Sequence, residues 1–154
     1  MQIDFQQAVQ TYGPALYRLA FGYCLNRSDA EDVVQEVFLT YLQREPECEG
    51  PEQLQAWLMT VTANKCKNLL KSGWRKRTLP LEDVHASPDH RDEVIEVRSA
   101  MAKLPPNLRG VVHLFYFERL STKQIAESLN LSETAVRSRL FQARKQLKTL
   151  LGGD

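Results

Sequence analysis

The stretch LSTKQIAESLNLSETAVRSRLFQARKQLKTL, residues 120–150, decides which kind of fold this chain adopts. Ser121 and Gln124 have the spacing of a capping box, which predicts the start of a short helix that ends near Asn130. Ser132 then predicts the N-cap of a longer, basic helix. A short capped helix, a turn of three or four residues and a longer basic helix are typical of a helix-turn-helix unit.

The periodicity of this unit predicts an inner and an outer face. The apolar positions expected between the helices are Ile125, Ala126, Leu129, Leu131, Val136, Leu140, Ala143 and Leu147. The outer row of the longer helix carries Glu133, Thr134, Arg137, Ser138, Phe141 and Gln142. Such a row could enter a major groove, where an arginine pairs with guanine, a glutamine pairs with adenine and a phenylalanine touches a thymine methyl. Phosphate contacts suit the remaining cations of the helix, which are Arg139, Arg144, Lys145 and Lys148. A helical hairpin whose basic residues only face water is the alternative.

The rest of the chain also has helical periodicity, and no run of alternating β-branched residues predicts a strand. We expect a short first helix that is interrupted at Gly13–Pro14, and a helix that opens with a capping box at Ser28–Glu31 and runs to about Arg44. Pro51 suits the first turn of a long helix that reaches Leu70. A further helix is expected over 107–119.

Residues 75–90 contain Pro80 and Pro88 and lose the apolar period, which predicts a linker. The expected fold is therefore all-α, with two small helical bundles, residues 1–74 and 91–154, joined by a flexible linker. Each bundle is small enough for its core to be marginal, so partner binding is expected to stabilise it.

The formal net charge of +1 conceals a strongly uneven distribution. Residues 1–60 carry three basic and nine acidic side chains, whereas residues 61–79 carry six basic side chains and no acidic one. Residues 105–154 carry eight basic and four acidic side chains, with five of the cations between Arg137 and Lys148. Two compact basic stretches on amphipathic helices indicate two contacts with a polyanion.

Several classes of function are disfavoured by the sequence. Its apolar runs are too short to span a bilayer, and the N-terminus has no signal-peptide pattern, so we expect a cytoplasmic protein. Cys24, Cys48 and Cys66 are scattered, so free thiols are expected and no metal site is predicted. No phosphate-binding glycine loop or nucleophile–base pair is present, so we expect no enzyme activity, no cofactor and no small-molecule substrate.

Three motifs together resemble a known family. The second unit contains Thr134–Leu140 followed by Ala143–Arg144, and the first contains DAEDVVQEVF at residues 29–38 and AWL at residues 56–58, followed by NKCKN at residues 64–68. In this order they resemble regions two and four of extracytoplasmic-function (ECF) sigma factors, over nearly the whole chain. The resemblance implies a sigma factor that directs core RNA polymerase to specific promoters and initiates transcription.

The resemblance also assigns roles to residues. It implies that Asp32, Gln35 and Glu36 contact the clamp of the largest polymerase subunit. The residues implied to bind the proximal promoter element are Asn64, Lys65, Lys67, Asn68 and Lys71. Those implied to bind the distal element are Thr134, Arg137, Ser138, Arg139, Phe141, Gln142, Arg144 and Lys145. An anti-sigma factor is an implied partner.

Two other functions fit parts of the sequence. A stand-alone helix-turn-helix regulator would explain the second unit but not the acidic-then-basic first unit. A nucleic-acid enzyme would need a catalytic constellation that the sequence does not offer.

Overall fold

The computed structural model describes residues 4–72 and 99–152, and all regular structure in these two ranges is helical. The first range holds three helices: α1 (Phe5–Cys24), α2 (Arg27–Arg44) and α3 (Pro51–Lys71). Residues 99–102 are helical, and they are followed by α4 (Pro106–Val112), α5 (Thr122–Leu129) and α6 (Glu133–Leu150). The linker predicted over 75–90 lies outside the described residues. None of the helices in residues 4–72 and 99–152 combines the length and the apolar character that a membrane span requires.

The interruption predicted at Gly13–Pro14 is wrong, because α1 runs through Pro14 without a break. Asp4 is the N-cap, and its side chain accepts a hydrogen bond from the Gln7 N–H at 3.1 Å. A proline inside a helix removes one backbone hydrogen bond, which is a local penalty. Burial of Tyr12 and Leu16 on either side of it outweighs that penalty.

The start of α2 differs from the prediction by a few residues. Asn26, not Ser28, is the N-cap, and its side chain accepts from the Asp29 N–H at 2.9 Å. Asparagine and serine cap about equally well, so local chemistry alone does not choose between them. The predicted end at Arg44 and the predicted start of α3 at Pro51 are both confirmed.

The helix predicted over 107–119 is shorter and less regular than expected. After α4 the chain forms a π-helical turn, His113–Phe117, in which the Glu118 N–H bonds to the His113 carbonyl at 3.1 Å. Arg119, two residues beyond this wider turn, has a φ of 58°, which lies in the left-handed region. Turns of this kind occur frequently at functional sites.

The helix-turn-helix is confirmed in detail. Ser121 and Gln124 form both bonds of the predicted capping box, and Ser132 caps α6 by accepting from the Ala135 N–H at 3.1 Å. Asn130 takes a left-handed φ of 58°, which asparagine tolerates better than most residues. The apolar residues predicted to join α5 and α6 are buried or half-buried.

The two bundles are packed against each other. One apolar cluster contains the core residues of α1–α3, such as Leu16 and Leu58, together with Leu114, Ile125 and Leu140 of the second bundle. A smaller cluster lies within the second bundle and contains Leu104, Leu108, Val112 and Ala143. The second bundle therefore completes much of its core on the surface of the first, which is how a unit of this size gains apolar burial.

Candidate nucleic-acid interface

The outer face of α6 is open to solvent. The six residues of the outer row predicted for this helix are called the reading row, and all of them are exposed: Glu133, Thr134, Arg137, Ser138, Phe141 and Gln142. Phe141 is 63% exposed. Arg137 lies 3.4 Å from Glu133 in an exposed pair one helical turn apart. Such a pair contributes little to stability, so Arg137 remains available to a ligand. The opposite side of the helix is held in place by the buried residues Val136, Leu140 and Ala143.

Arg144 has a partner that the sequence did not reveal. Its Nε donates a hydrogen bond to the Tyr116 hydroxyl at 2.7 Å, and its guanidinium lies 5.5 Å from the Phe115 ring centroid. A phosphate contact by Arg144 would therefore be made by a side chain that two aromatic rings already hold in position. Lys145 lies over the Phe141 ring in a similar way, at 5.8 Å. The π-helical turn, which no sequence pattern predicted, positions the rings of Phe115 and Tyr116.

The five basic and amide residues predicted on α3 are not equally accessible. Asn64, Asn68 and Lys71 are exposed. Lys65 lies 3.7 Å from the Glu36 carboxylate of α2. Lys67 is half-buried, and desolvation, followed by the nearby charges of Arg139 and Lys71, lowers its pKa. Two cations that were predicted to touch different parts of the DNA, Lys67 and Arg139, therefore lie near each other.

The row on α2 that the resemblance assigns to polymerase contact is exposed. Asp32, Gln35 and Glu36 lie on one open face, and Leu39 continues this row with 56% of its surface exposed. An exposed leucine beside carboxylates suits a protein interface in which an apolar contact accompanies charge pairing. The sequence analysis did not single out Leu39, although its position seven residues after Asp32 places it on the same helical face.

Arg109 is the main polar connection between the two bundles, and the sequence analysis did not single it out. Its guanidinium is buried, and it donates hydrogen bonds to the carbonyls of Gly22 at 2.9 Å, Leu104 at 2.7 Å and Tyr23. The last turn of α1 has no basic residue of its own. Arg109 therefore supplies, from the other bundle, the positive charge that a helix C-terminus favours.

A second connection is a cluster of three charged or ionisable side chains. Arg18 of α1 makes a bidentate contact with the Glu118 carboxylate at 2.7 and 2.9 Å, and His113 Nε2 lies 3.0 Å from the same carboxylate. Burial disfavours the ionised form of Glu118, but the hydrogen bonds and charges of Arg18 and His113 outweigh it and lower the pKa to about 2. A third connection is the hydrogen bond from Thr60 Oγ1 to the Ser128 carbonyl at 2.5 Å.

The lowered pKa of Glu118 predicts how the contact between the bundles responds to acid. A carboxyl group with a depressed pKa stabilises the folded form above its ordinary pKa of 4.5, and this stabilisation disappears as the pH falls towards 2. We expect wild type to be more stable than Glu118→Gln above pH 4.5, and the difference to shrink steadily below it. Denaturant unfolding of both proteins at each pH measures the difference. A difference that grows in acid would contradict the assigned ion pair.

The described residues hold no group of histidine, cysteine and acidic side chains placed to bind a metal ion. Cys24 and Cys66 are buried with their sulfurs 3.8 Å apart, and Cys48 is also a free thiol, as predicted. His85 and His90 lie outside the described residues. A hydrogen bond with Cys24, together with burial, raises the pKa of the Cys66 thiol well above that of an ordinary thiol. Cys24 and Cys66 are therefore structural residues of the core.

Comparison with known families agrees with this geometry. Residues 8–76 match the family described as Sigma-70 region 2, and residues 95–147 match Sigma-70, region 4. The chain is 31% identical over 150 residues to the ECF RNA polymerase sigma factor SigL of Mycobacterium tuberculosis, with 91% of this chain and 84% of that protein covered.

Two further likenesses cover almost the whole chain. The ECF RNA polymerase sigma factor SigE of Mycolicibacterium smegmatis is 28% identical over 159 residues, which is 96% of this chain, although the chain spans only 62% of that protein. In fold, the chain resembles the sigma factor RpoE in its solved complex with the anti-sigma factor NepR from Bartonella quintana, with a TM-score of 0.80 at 23% identity and 98% of each chain covered. The two matched regions and the identity to SigL place this chain in the sigma-70 family, among its ECF members.

Proposed function

We propose that this protein is an alternative sigma factor that brings core RNA polymerase to specific promoters and initiates transcription there. The observation that carries the proposal is the coexistence of two open surfaces on one chain. One is the acidic face of α2, formed by Asp32, Gln35 and Glu36, and the other is the reading row of α6. A protein that only binds DNA has no need of the first surface.

The acidic face of α2 is proposed to dock on a basic part of the polymerase clamp. Complementary charges steer such an encounter and fix its register, and Leu39 adds an apolar contact within the same row. The basic face of α3, Asn64 to Lys71, is proposed to bind the proximal promoter element, where lysines hold phosphates and asparagines pair with exposed bases. The α6 row is proposed to read the distal element in the major groove.

Other parts of the proposal follow from membership of the family. The protein carries out no chemistry of its own, because the polymerase supplies catalysis, and it needs no cofactor or small-molecule substrate. An anti-sigma factor is a proposed partner. Since the polymerase works on chromosomal DNA, the proposed place of action is the cytoplasm. We propose residues 1–74 and 91–154 as the two functional units and residues 75–90 as their connection.

The decisive experiment is runoff transcription with bacterial core polymerase and a library of promoters. A sigma factor gives transcripts from a subset of promoters that share sequence elements. A stand-alone regulator would bind DNA without starting transcription, and a nucleic-acid enzyme would turn over its substrate without polymerase. Either of those results would replace the proposal.

Arg137 provides a test of the reading face. Arg137→Ala is expected to weaken binding to a selected promoter by about 1–3 kcal/mol and to relax base preference at one position, since a bidentate contact to guanine is lost. The matched control is Lys148→Ala on the same helix, which should weaken binding to all sequences similarly and flatten its salt dependence. Titrations against promoter variants at several salt concentrations separate the two effects. An unchanged footprint and affinity for Arg137→Ala would show that another face of α6 meets the DNA.

A further inference from the structure

We propose that Tyr116 and Arg144 together form a binding site for one phosphate of the DNA backbone at the edge of the distal promoter element. Tyr116 belongs to the π-helical turn and not to the helix-turn-helix, so this site extends the DNA surface beyond α5 and α6. The inference deepens the proposed function and rests on it. These two side chains are called the phosphate pair.

Arg144 lies on the same strip of α6 as the reading row, but nearer the C-terminus. It follows Arg137 by seven residues, which is two helical turns or about 10 Å along the axis. Phe141, three residues before Arg144, belongs to the same strip. The N-terminal residues of a recognition helix meet the base edges. An exposed cation two turns further along this strip is therefore placed for the sugar-phosphate backbone rather than for the bases.

The hydrogen bond within the phosphate pair leaves donors on both side chains. Arg144 Nε donates to the Tyr116 hydroxyl oxygen at 2.7 Å, and the terminal N–H groups of the guanidinium are not used in this bond. The Tyr116 hydroxyl acts as the acceptor and keeps its own O–H as a donor. Tyr116 is 48% exposed, so this O–H can reach a ligand. The ion pairs in the described part of the chain engage other residues, so no carboxylate there competes with a phosphate for Arg144.

The aromatic rings of the π-helical turn hold the guanidinium in position. Its central carbon lies 5.5 Å from the Phe115 ring centroid and 5.7 Å from that of Tyr116. The two rings meet edge to face with their centroids 4.9 Å apart, and Phe115 packs against the large apolar cluster. A side chain that is already held in its binding position loses less conformational entropy when a ligand binds. The phosphate pair is therefore preorganised before DNA arrives.

A purely structural tie between the π-helical turn and α6 is the other explanation of this contact. The packing of α4 on α6 is already made by the buried residues Leu108, Val112 and Ala143. An exposed hydrogen bond adds little to such packing, because water competes for both groups. Lys145, the residue after Arg144, is also exposed, so the surroundings of the pair favour an anion. A phosphate ligand accounts for both the free donors and the local positive charge.

The test uses holoenzyme, the full chain bound to core polymerase, and a duplex promoter found by runoff transcription. Tyr116→Phe removes the hydroxyl and keeps the ring, whereas Arg144→Ala removes the cation. The matched control is Tyr17→Phe, which makes the same chemical change on α1 in the first bundle. Each phosphate around the distal element is replaced in turn by an uncharged methylphosphonate. The dissociation constant is then measured for wild type, for each variant and for the double variant, and thermal unfolding of each free chain measures its stability.

Tyr116→Phe is expected to weaken binding to all promoters by about three- to tenfold, since it loses a hydrogen bond to a charged group. Arg144→Ala should weaken binding by about tenfold and lower the salt dependence by about one counterion, whereas Tyr116→Phe removes no charge and should leave the salt dependence unchanged. The double variant should bind no more than about twofold more weakly than Arg144→Ala, because the two groups act on one phosphate. At one position, methylphosphonate should weaken wild type by about tenfold and Arg144→Ala by less than about twofold.

Three results would overturn the inference while the wild-type holoenzyme still transcribes and the proposed function stands. The first is an unchanged dissociation constant for Tyr116→Phe, whether or not its melting temperature falls, since the contact would then be a structural tie. The second is a fully additive loss in the double variant. The third is the absence of any phosphate whose replacement affects wild type but not Arg144→Ala. If wild-type holoenzyme starts no transcription from any promoter, the proposed function fails and the phosphate pair fails with it.

Discussion

Gly110→Ala is expected to lower the free energy of unfolding by about 1–3 kcal/mol, because it forces an atom into a space that is already filled. A Cβ at Gly110 would lie 2.2 Å from the hydroxyl oxygen of Tyr23 and 2.5 Å from its Cζ. Tyr23 is fully buried, and a close-packed core leaves its ring little room to move aside. Alanine favours a helix over glycine by about 1 kcal/mol, which offsets part of the overpacking.

Gly22→Ala is the matched control, since Gly22 lies at the same contact between the two bundles, but on the first bundle. A Cβ there would be 3.5 Å from the His113 ring, which is ordinary van der Waals contact. We expect this substitution to stabilise the protein through helix propensity alone, so the two glycine variants should change the melting temperature in opposite directions. Thermal unfolding of both variants, monitored by circular dichroism, measures the two changes in melting temperature. A stabilised Gly110→Ala protein would show that the bundles are not packed together in solution.

The Tyr23 hydroxyl offers an independent check on the same region. Among the described residues, no hydrogen-bond partner lies within reach of this buried oxygen. Removing a buried polar group that has no partner is nearly neutral or stabilising. Tyr23→Phe combined with Gly110→Ala should therefore recover part of the lost stability, because it removes the atom of closest approach.

Local chemistry made much of this structure predictable. The capping box at Ser121, the cap at Ser132 and the proline at residue 51 each act within four residues, and the structure has all three where the sequence predicted them. The outer row of α6 was predictable for a similar reason, since one helical period and a set of buried anchors determine it.

The misassigned elements were decided by distant contacts. Pro14 is tolerated inside α1 because burial of apolar residues on both sides of it stabilises a continuous helix. In the sequence Arg109 looks like any other cation. Its structural role depends on hydrogen bonds to carbonyls that lie 86 and 87 residues away along the chain. Likewise, Lys67 and Arg139 were assigned to separate surfaces, and only the packing of the two bundles brings their charges together.

Glu36→Lys is expected to weaken binding to core polymerase by about 2–5 kcal/mol, since it places a like charge against the basic surface proposed for the clamp. The measurement is the dissociation constant for core polymerase, by fluorescence anisotropy of labelled sigma factor at fixed salt concentration. The same change in net charge, made by Glu47→Lys in the exposed loop between α2 and α3, should leave this constant nearly unchanged.

Lys65→Gln separates polymerase docking from the internal effect of Glu36. Glu36 lies 3.7 Å from Lys65, so Glu36→Lys also disrupts a contact between α2 and α3. Lys65→Gln removes that contact while the acidic row stays intact, and an exposed pair of this kind stabilises the fold by only about 0–1 kcal/mol. We therefore expect Lys65→Gln to retain polymerase binding and to lose affinity for a single strand of the proximal promoter element. If Lys65→Gln weakened polymerase binding as much as Glu36→Lys does, Glu36 would act by positioning α3, and the docking surface would have to lie elsewhere on the first bundle.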